Sequence, residues 1–149
     1  MTDKQIDEFE AQISSDIPAM NIVEYPSDEV EKRLEICKIV KRACQQGLMI
    51  STYGTVSMRW RENDFLITPT SVNRWNIEIE DIVQIKDGKR EKDKNPSRAT
   101  WIHQEIYKVN PEINSIIMTQ SPYLMAFGVT GTQFNPKCPL GFVGRVIFR

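Results

Sequence analysis

Hydrophobic side chains recur every three or four positions between residues 27 and 47, which is the spacing of one face of an α-helix. Ser27 is placed to cap the start of this helix, and the acidic Asp28 and Glu29 suit its positive end. Gly47 is expected to end it, because glycine readily takes the left-handed conformation that follows many helices. The predicted buried stripe consists of Val30, Leu34, Cys37, Val40 and Cys44, widened by Ile36, Ile39 and Ala43.

The residues before this helix predict a leader and a connector. Ile6, Phe9 and Ile13 occur at helical spacing among charged residues, which indicates either a short docking helix or a frayed leader. Residues 16–26 contain two prolines and form the predicted connector. We therefore divide the chain into residues 1–26, an N-terminal helix and connector, and residues 27–149, one folded domain.

Beyond Gly47 the hydrophobic period changes from helical to alternating, which predicts strands. Residues 56–59 alternate apolar and polar side chains, and residues 65–68 form a short apolar run, so the two predict a hairpin around residues 61–64. Residues 82–86 predict a third strand, followed by a turn at Asp87-Gly88. The mixed charges of residues 86–94 favour a solvated loop over a nucleic-acid surface.

The last third of the chain predicts two more helices and a strand. A helix of about a dozen residues is expected after Ser97, with Trp101, Ile102, Ile106 and Tyr107 on its apolar side. Residues 113–118 predict a buried strand, and residues 121–127 predict a short helix closed by Gly128. This order of elements indicates a mixed α/β domain with a sheet flanked by helices.

Composition then limits the classes of protein to which the chain can belong. Its 149 residues suffice for one core without metal or disulfides, and 19 basic against 20 acidic side chains leave a formal charge of −1. This balance gives no reason to expect nucleic acid or a membrane surface as a partner. The charged N-terminus lacks the apolar segment of a signal peptide, and no apolar run approaches the ~20 residues that cross a bilayer. The predicted compartment is the cytoplasm.

The histidine and cysteine counts restrict the chemistry further. His103 is the only histidine, so one copy of the chain cannot build a zinc site from several imidazoles. We interpret it as a structural helix residue, because an isolated histidine is more often structural than catalytic. An odd number of cysteines without paired short spacing indicates reduced thiols at Cys37, Cys44 and Cys138. Dispersed tryptophans favour core or interface packing over ligand stacking at Trp60, Trp75 and Trp101.

Three segments of the chain read GLMISTYGTVSMRW, FLITPTSVNRWNIEIEDIV and NPSRATWIHQEIYKVNPEINSIIMTQSPYLMAFGVTG. Together they resemble the class II aldolase/adducin family, which includes the fuculose-phosphate and rhamnulose-phosphate aldolases, ribulose-phosphate 4-epimerase and the adducin head domain. The resemblance covers residues 30–131, so residues 27–149 would be the N-terminal portion of such a domain. It implies a three-layer α/β/α domain with a central mixed, largely antiparallel sheet, incomplete at the C-terminus. It also implies a homo-oligomer, typically a tetramer with active sites between subunits.

The resemblance further implies a phosphate site at three turns. The family binds substrate phosphate with an S-G-N turn, a T-P-S-G turn and the serines of a P-S-S-E motif, whose amides and hydroxyls donate to oxyanions. This chain has Tyr-Gly-Thr, Thr-Pro-Thr-Ser and Pro-Ser-Arg-Ala at these turns. The phosphate-binding candidates are therefore Gly54, Thr55, Thr70, Ser71, Ser97 and Arg98.

The family's catalytic positions carry different residues in this chain. Ala99 stands where the family has its acid/base glutamate, and a methyl group cannot transfer a proton. Met118 and Gln120 stand at two zinc-binding histidines, and neither is a usual zinc ligand. The family's third zinc histidine would follow Arg149, where the chain ends. We expect no catalytic residue, no bound metal and no cofactor.

Three functional hypotheses follow from the resemblance. The first is a domain that has lost zinc-dependent lyase activity and survives as a binding or assembly module. The second is an active metal-dependent aldolase or epimerase acting on a sugar phosphate such as L-fuculose 1-phosphate. The third is a sensor that binds a phosphorylated small molecule without chemistry.

Overall fold

This computed structural model describes residues 17–22 and 24–133, which contain one sheet of six strands. The strands are β1 (Ala19–Met20), β2 (Thr55–Arg61), β3 (Asp64–Ile67), β4 (Val83–Lys86), β5 (Lys89–Glu91) and β6 (Ser115–Met118). Their order in the sheet is β1-β5-β4-β3-β2-β6. The helices of the same part are α1 (Ser27–Gln45), α2 (Thr100–Val109) and α3 (Pro122–Thr130), with a 3-10 turn at Arg74–Asn76. Each neighbouring pair is antiparallel except β1 with β5, which confirms the predicted mixed, largely antiparallel sheet.

Alternation along β3 separates two hydrophobic layers. Successive side chains of a strand point to opposite faces of the sheet. Leu66 accordingly packs in a cluster with Val40 of α1, whereas Phe65 and Ile67 pack with Tyr107 of α2. The sheet therefore lies between α1 and α2, as the predicted three-layer α/β/α arrangement requires.

The predicted hairpin and the predicted Asp87-Gly88 turn are both confirmed. β2 pairs with β3 from Ser57 opposite Ile67 to Arg61 opposite Asp64. Asp87 and Gly88 have φ values of 49° and 71°, and two successive positive φ angles are typical of the tight turn that joins β4 to β5. The solvated loop expected over residues 86–94 is wrong in part, because β5 forms there.

Helix α1 ends as predicted and begins differently. Gly47 has a φ of 68°, and the Gly47 and Leu48 amides donate back to the last turn of the helix, which satisfies its free carbonyls. At the start, Ser27 is the first helical residue rather than the cap. The Pro26 carbonyl accepts the amides of Glu29 and Val30, and no side chain caps the helix.

The buried face of α1 agrees with the prediction in the second half of the helix, where five predicted residues are buried, and differs near its start. The five are Ile36, Cys37, Val40, Ala43 and Cys44. Leu34 is 44% exposed, whereas Glu29 and Arg33 are almost fully buried, at 1% and 0%. Arg33 lies 2.6 Å from Glu29 and 2.9 Å from Glu91 of β5, so the charges of this face neutralise one another. The prediction was wrong at Leu34 because the buried face at the start of the helix is ionic, and hydrophobic periodicity does not detect buried charges.

Three more groups complete what we call the Arg33 network, formed by Tyr25, Glu29, Arg33, Gln84, Glu91 and Lys94. Lys94 pairs with Glu91 at 2.8 Å and also donates to the Tyr25 hydroxyl at 2.8 Å. The hydroxyl in turn donates to Glu91, and burial raises the pKa of Tyr25 to about 12. Gln84 donates to the second oxygen of Glu29 at 3.0 Å. The network links the connector, which contains β1, to α1 and to strands β4 and β5.

The structure corrects the expectations for the second helix and the tryptophans. α2 has ten residues and begins after Ala99, and its Trp101 is 56% exposed rather than packed in the core. Trp75 is 51% exposed, so core packing holds only for Trp60, which contacts the cluster under α1. Interface packing stays a prediction for the two exposed rings.

The elements after α2 are more exposed than predicted. β6 pairs only with β2 among the described strands, so it lies at the edge of the described sheet, and its Ile117 and Met118 are 50% and 40% exposed there. α3 continues through Gly128 and ends instead at Gly131, whose φ is 64°. A glycine inside a helix lowers its stability without stopping it, whereas the left-handed Gly131 ends it.

Some predictions fall outside the described residues. The helix expected between residues 2 and 15, Cys138 and the tail from residue 134 belong to these. None of the helices in the described part of the chain is long and apolar enough to cross a membrane.

Candidate functional site

Three loops meet where strands β2 and β3 terminate, at one end of the sheet, and form a cleft of about 70 Å³. They meet because β2 and β3 are antiparallel, so the first residues of β2 lie beside the last residues of β3. The loop before α2 joins them through a bridge between Pro69 and Pro96 and through the Ser97 amide, which donates to the Thr68 carbonyl at 3.0 Å. The residues that line the cleft are Thr52, Tyr53, Gly54, Thr55, Thr70, Ser71, Arg74, Ser97 and Arg98.

All six phosphate-binding candidates line this one cleft. The sequence placed them on three separate turns, and the fold brings the turns together. That they bind phosphate stays a prediction.

Two hydroxyl groups at the cleft are held in a fixed arrangement. Thr55 Oγ1 and Ser97 Oγ lie 2.7 Å apart, and both residues are buried. Ser97 Oγ also accepts the Ala99 amide at 3.3 Å. Each hydroxyl carries one donor and two acceptor positions, so this pair can reorient one proton toward a bound oxyanion.

The backbone of two of the turns takes conformations that favour glycine. Gly54 has a φ of 95°, and a Cβ built there would lie 2.6 Å from Met49 Cγ. Ser71 has a φ of 56°, so it adopts the left-handed conformation although it stands where the resembling family has glycine. Ser71 thus takes a conformation that glycine adopts more readily.

Arg74 is a cleft residue that the sequence did not single out. It is 2% exposed, and its guanidinium donates to the carbonyls of Gly54, Pro69 and Val72, each at 2.9 Å. Burial lowers the pKa of Arg74 to about 10. Its partners are backbone atoms, which every residue possesses, so no sequence pattern distinguishes it from a solvated arginine.

The positions that carry catalysis in the resembling family lie close to the cleft. Ala99 follows two cleft residues at the start of α2, and Met118 pairs with Thr55 across β2 and β6. Gln120 comes two residues later, and its backbone amide donates to the Leu48 carbonyl at 3.0 Å.

These residues do not fit the zinc ion that the resemblance implies. A thioether, a carboxamide and a methyl group supply neither an anionic nor an imidazole ligand. In residues 17–22 and 24–133, moreover, no three His, Cys, Asp or Glu side chains are grouped as a metal site would need.

His103 lies away from the cleft, between α2 and β2. It is fully buried, and its Nδ1 is 2.7 Å from Ser57 Oγ, which also bonds the Tyr107 hydroxyl at 2.7 Å. Its Nε2 has no hydrogen-bond partner within the described part of the chain. The position agrees with a structural histidine, although only one of its two ring nitrogens is satisfied there.

Burial makes His103 an acid-sensitive element of the fold. Desolvation lowers the pKa of His103 from 6.5 to about 4, so the folded protein keeps it neutral where the unfolded chain protonates it. Stability is therefore lost as the pH falls from about 6.5 toward 4, and we expect a loss of about 2 kcal/mol between pH 7.5 and pH 5. Urea unfolding at the two pH values measures it.

The variant His103→Gln tests whether His103 causes this pH dependence of stability. In His103→Gln the free energy of unfolding should change by less than about 0.5 kcal/mol over the same interval. The pKa of Glu91 is lowered by its hydrogen bonds to Lys94, Tyr25 and Arg33 despite its burial, so that carboxylate loses its charge only in more acidic solution. Equal pH dependence in the wild type and the variant would contradict the assignment.

Comparison with known proteins gives one family and a consistent set of relatives. The model of the Class II Aldolase and Adducin N-terminal domain matches residues 34–143. The 3-oxo-tetronate 4-phosphate decarboxylase of Cupriavidus necator is 29% identical over 106 residues, which cover 70% of this chain and 48% of the relative. The L-fuculose phosphate aldolase of Haemophilus influenzae is 32% identical over 103 residues, covering 68% and 44%.

Solved structures give the same result for the fold. A structure of L-fuculose 1-phosphate aldolase superposes with a TM-score of 0.61 at 26% identity, covering 69% of this chain and 49% of that one. The chain thus spans about half the length of the relatives it matches.

Proposed function

The chain belongs to the class II aldolase and adducin family, and we propose that its cleft binds the phosphate group of a small phosphorylated molecule without zinc-dependent lyase chemistry. The observation that carries this proposal is the convergence of four hydroxyl side chains and two arginines in one cleft. They are Thr55, Thr70, Ser71, Ser97, Arg74 and Arg98.

The charge of the cleft supports an anionic ligand. Arg74 and Arg98 line it, and no Asp or Glu is among the lining residues in the described part of the chain. Hydroxyls, backbone amides and guanidinium groups are the donors that hold phosphate oxygens in proteins. The names of the relatives agree, since their substrates are sugar phosphates or related phosphorylated acids.

The residues beside the cleft support binding without lyase chemistry. Class II aldolase chemistry needs a metal that polarises a carbonyl and a group that moves a proton. Ala99, Met118 and Gln120 supply neither of these groups. The proposal therefore separates the phosphate site, which this chain has the residues to build, from the reaction site.

Binding is tested by thermal unfolding with dihydroxyacetone phosphate and, as the matched control ligand, dihydroxyacetone. At roughly ten times the dissociation constant, the phosphorylated ligand should raise Tm by about 3–6 °C, and the unphosphorylated one should leave it unchanged. Ser97→Ala should weaken binding by roughly tenfold, because it removes one hydrogen bond to a charged group.

Metal content decides between binding and lyase activity. We expect far less than one zinc per chain in the purified protein. One tightly held zinc per chain, together with cleavage of L-fuculose 1-phosphate that a chelator abolishes, would instead establish the active aldolase. Equal responses to the two ligands would contradict the phosphate site.

A further inference from the structure

Arg74 combines nearly complete burial with a charge that has no carboxylate partner among the described residues. We propose that Arg74 is the positioning residue of the cleft, fixing two of its three loops and supplying the charge that attracts a phosphoryl group. The inference rests on the proposed function and adds the residue on which the affinity of the site depends.

The hydrogen bonds of Arg74 connect the two loops that carry most of the candidates. Nε donates to the carbonyl of Gly54, which directly precedes Thr55. Nη2 and Nη1 donate to the carbonyls of Pro69 and Val72, which flank Thr70 and Ser71. The backbone amide of Arg74 donates to Ser51 at 2.8 Å, which adds a further tie to the first loop. The planar guanidinium therefore sets the distance between the Thr55 hydroxyl and the next turn.

The groups that surround the charge of Arg74 differ from those around the fully buried Arg33. Arg33 is paired with Glu29 and Glu91, so it adds no net positive charge to its surroundings. Arg74 has only carbonyl partners, and among residues 17–22 and 24–133 no carboxylate forms an ion pair with it. Burying an unpaired charge is unfavourable, so an anion in the adjoining cleft would be stabilised by it.

Arg74 also has donors left for a ligand. A guanidinium carries five N–H groups, and the carbonyls of the described residues accept from three of its nitrogens with one bond each. The remaining two N–H groups belong to the terminal nitrogens of a side chain that lines the cleft. N–H donors on the two terminal nitrogens of one guanidinium can bind two oxygens of one phosphoryl group.

Three variants test the inference, with glycerol 3-phosphate as the probe and isothermal titration calorimetry as the measurement. Arg74→Met should weaken binding by roughly 30-fold or more, because charge and loop contacts are both lost. Arg74→Lys should still weaken it by about tenfold, because an ammonium restores the charge but cannot bridge three carbonyls in a plane.

Arg59→Met is the matched control. Arg59 also donates to backbone carbonyls, those of Ile113 at 3.0 Å and Tyr107 at 2.8 Å, but it lies outside the cleft. Its replacement should lower stability and leave the affinity of the folded protein within about twofold of wild type, since no ligand contact changes.

The outcomes separate this inference from the proposed function. If the wild type does not bind glycerol 3-phosphate, the proposed function fails and the inference fails with it. If the wild type binds and both Arg74 variants bind as tightly as Arg59→Met, the phosphate site stands and the role of Arg74 is overturned.

A measurement on the wild type covers the case in which the Arg74 variants do not fold. The Nε–H resonance of Arg74 can be assigned through its own backbone in ¹⁵N- and ¹³C-labelled protein. Saturating glycerol 3-phosphate should shift this resonance while the Arg59 resonance stays in place. An unshifted Arg74 resonance at saturation would overturn the inference.

Discussion

Replacing Arg33 with methionine should lower the free energy of unfolding by about 3–5 kcal/mol, because two buried carboxylates would lose their shared cation. Glu29 is 1% exposed and Glu91 is 5% exposed, so water cannot solvate their charges in place of the guanidinium. Arg33 also stacks on the Tyr25 ring at 3.8 Å, and this contact would be lost as well. Urea unfolding at pH 7.5 measures the loss.

An exposed ion pair provides the control. Lys41 lies 3.3 Å from Glu78, and their side chains are 41% and 66% exposed. Lys41→Met should therefore change stability by less than about 0.5 kcal/mol. Adding Glu29→Gln and Glu91→Gln to the Arg33 variant should recover part of the loss, because the stranded charges disappear. If Arg33→Met is no more destabilising than Lys41→Met, the network does not hold the fold together.

Replacing Gly54 with alanine should cost about 3 kcal/mol and abolish ligand binding. The φ of 95° is unfavourable for any residue with a Cβ, and the new methyl would lie 2.6 Å from Cγ and 2.9 Å from Sδ of Met49. Met49 is 1% exposed and cannot move aside freely. The turn would have to shift, and with it the Thr55 hydroxyl and the Arg74 contact. Thermal unfolding and calorimetry with glycerol 3-phosphate measure the two effects.

The variant Gly47→Ala measures the cost of backbone strain without a close contact to a neighbouring side chain. Its φ is 68°, but nothing lies within 4 Å of a Cβ placed there. Gly47→Ala should therefore cost only about 1–2 kcal/mol and leave binding intact. Similar costs at the two glycines, with binding retained in both variants, would show that the first turn can relax without harm to the cleft.

Local signals predicted those parts of the fold that depend on neighbours in sequence. The end of α1 at Gly47 and the β2–β3 hairpin are set by single turns, and both were correctly predicted. Burial of Glu29 and Arg33 was not predicted, because part of its cause is Glu91, which lies on a strand distant in sequence. The exposure of β6 was missed for the same reason, since an apolar strand looks the same at the edge of a sheet and at its centre.

The residues of the candidate site were likewise predicted only in part. Family resemblance named six residues, and antiparallel pairing of β2 and β3 explains why they share one cleft. Arg74 could not be found in this way, because all three bonds of its guanidinium end on backbone carbonyls. Sequence patterns indicate contacts between side chains, whereas the Arg74 guanidinium donates to main-chain carbonyls, which every residue has.

The three positions at which the resemblance places the family's catalytic residues contribute to the fold of this chain through the main chain. Met118 lies opposite Thr55 in the antiparallel pairing of β2 and β6, and Gln120 donates its backbone amide to the Leu48 carbonyl. Ala99 accepts the His103 amide through its carbonyl at 3.0 Å. Side chains other than proline leave these main-chain bonds in place, so folding by itself demands neither histidine nor glutamate there. The side chains at these three positions can therefore change while the backbone that shapes the cleft stays the same.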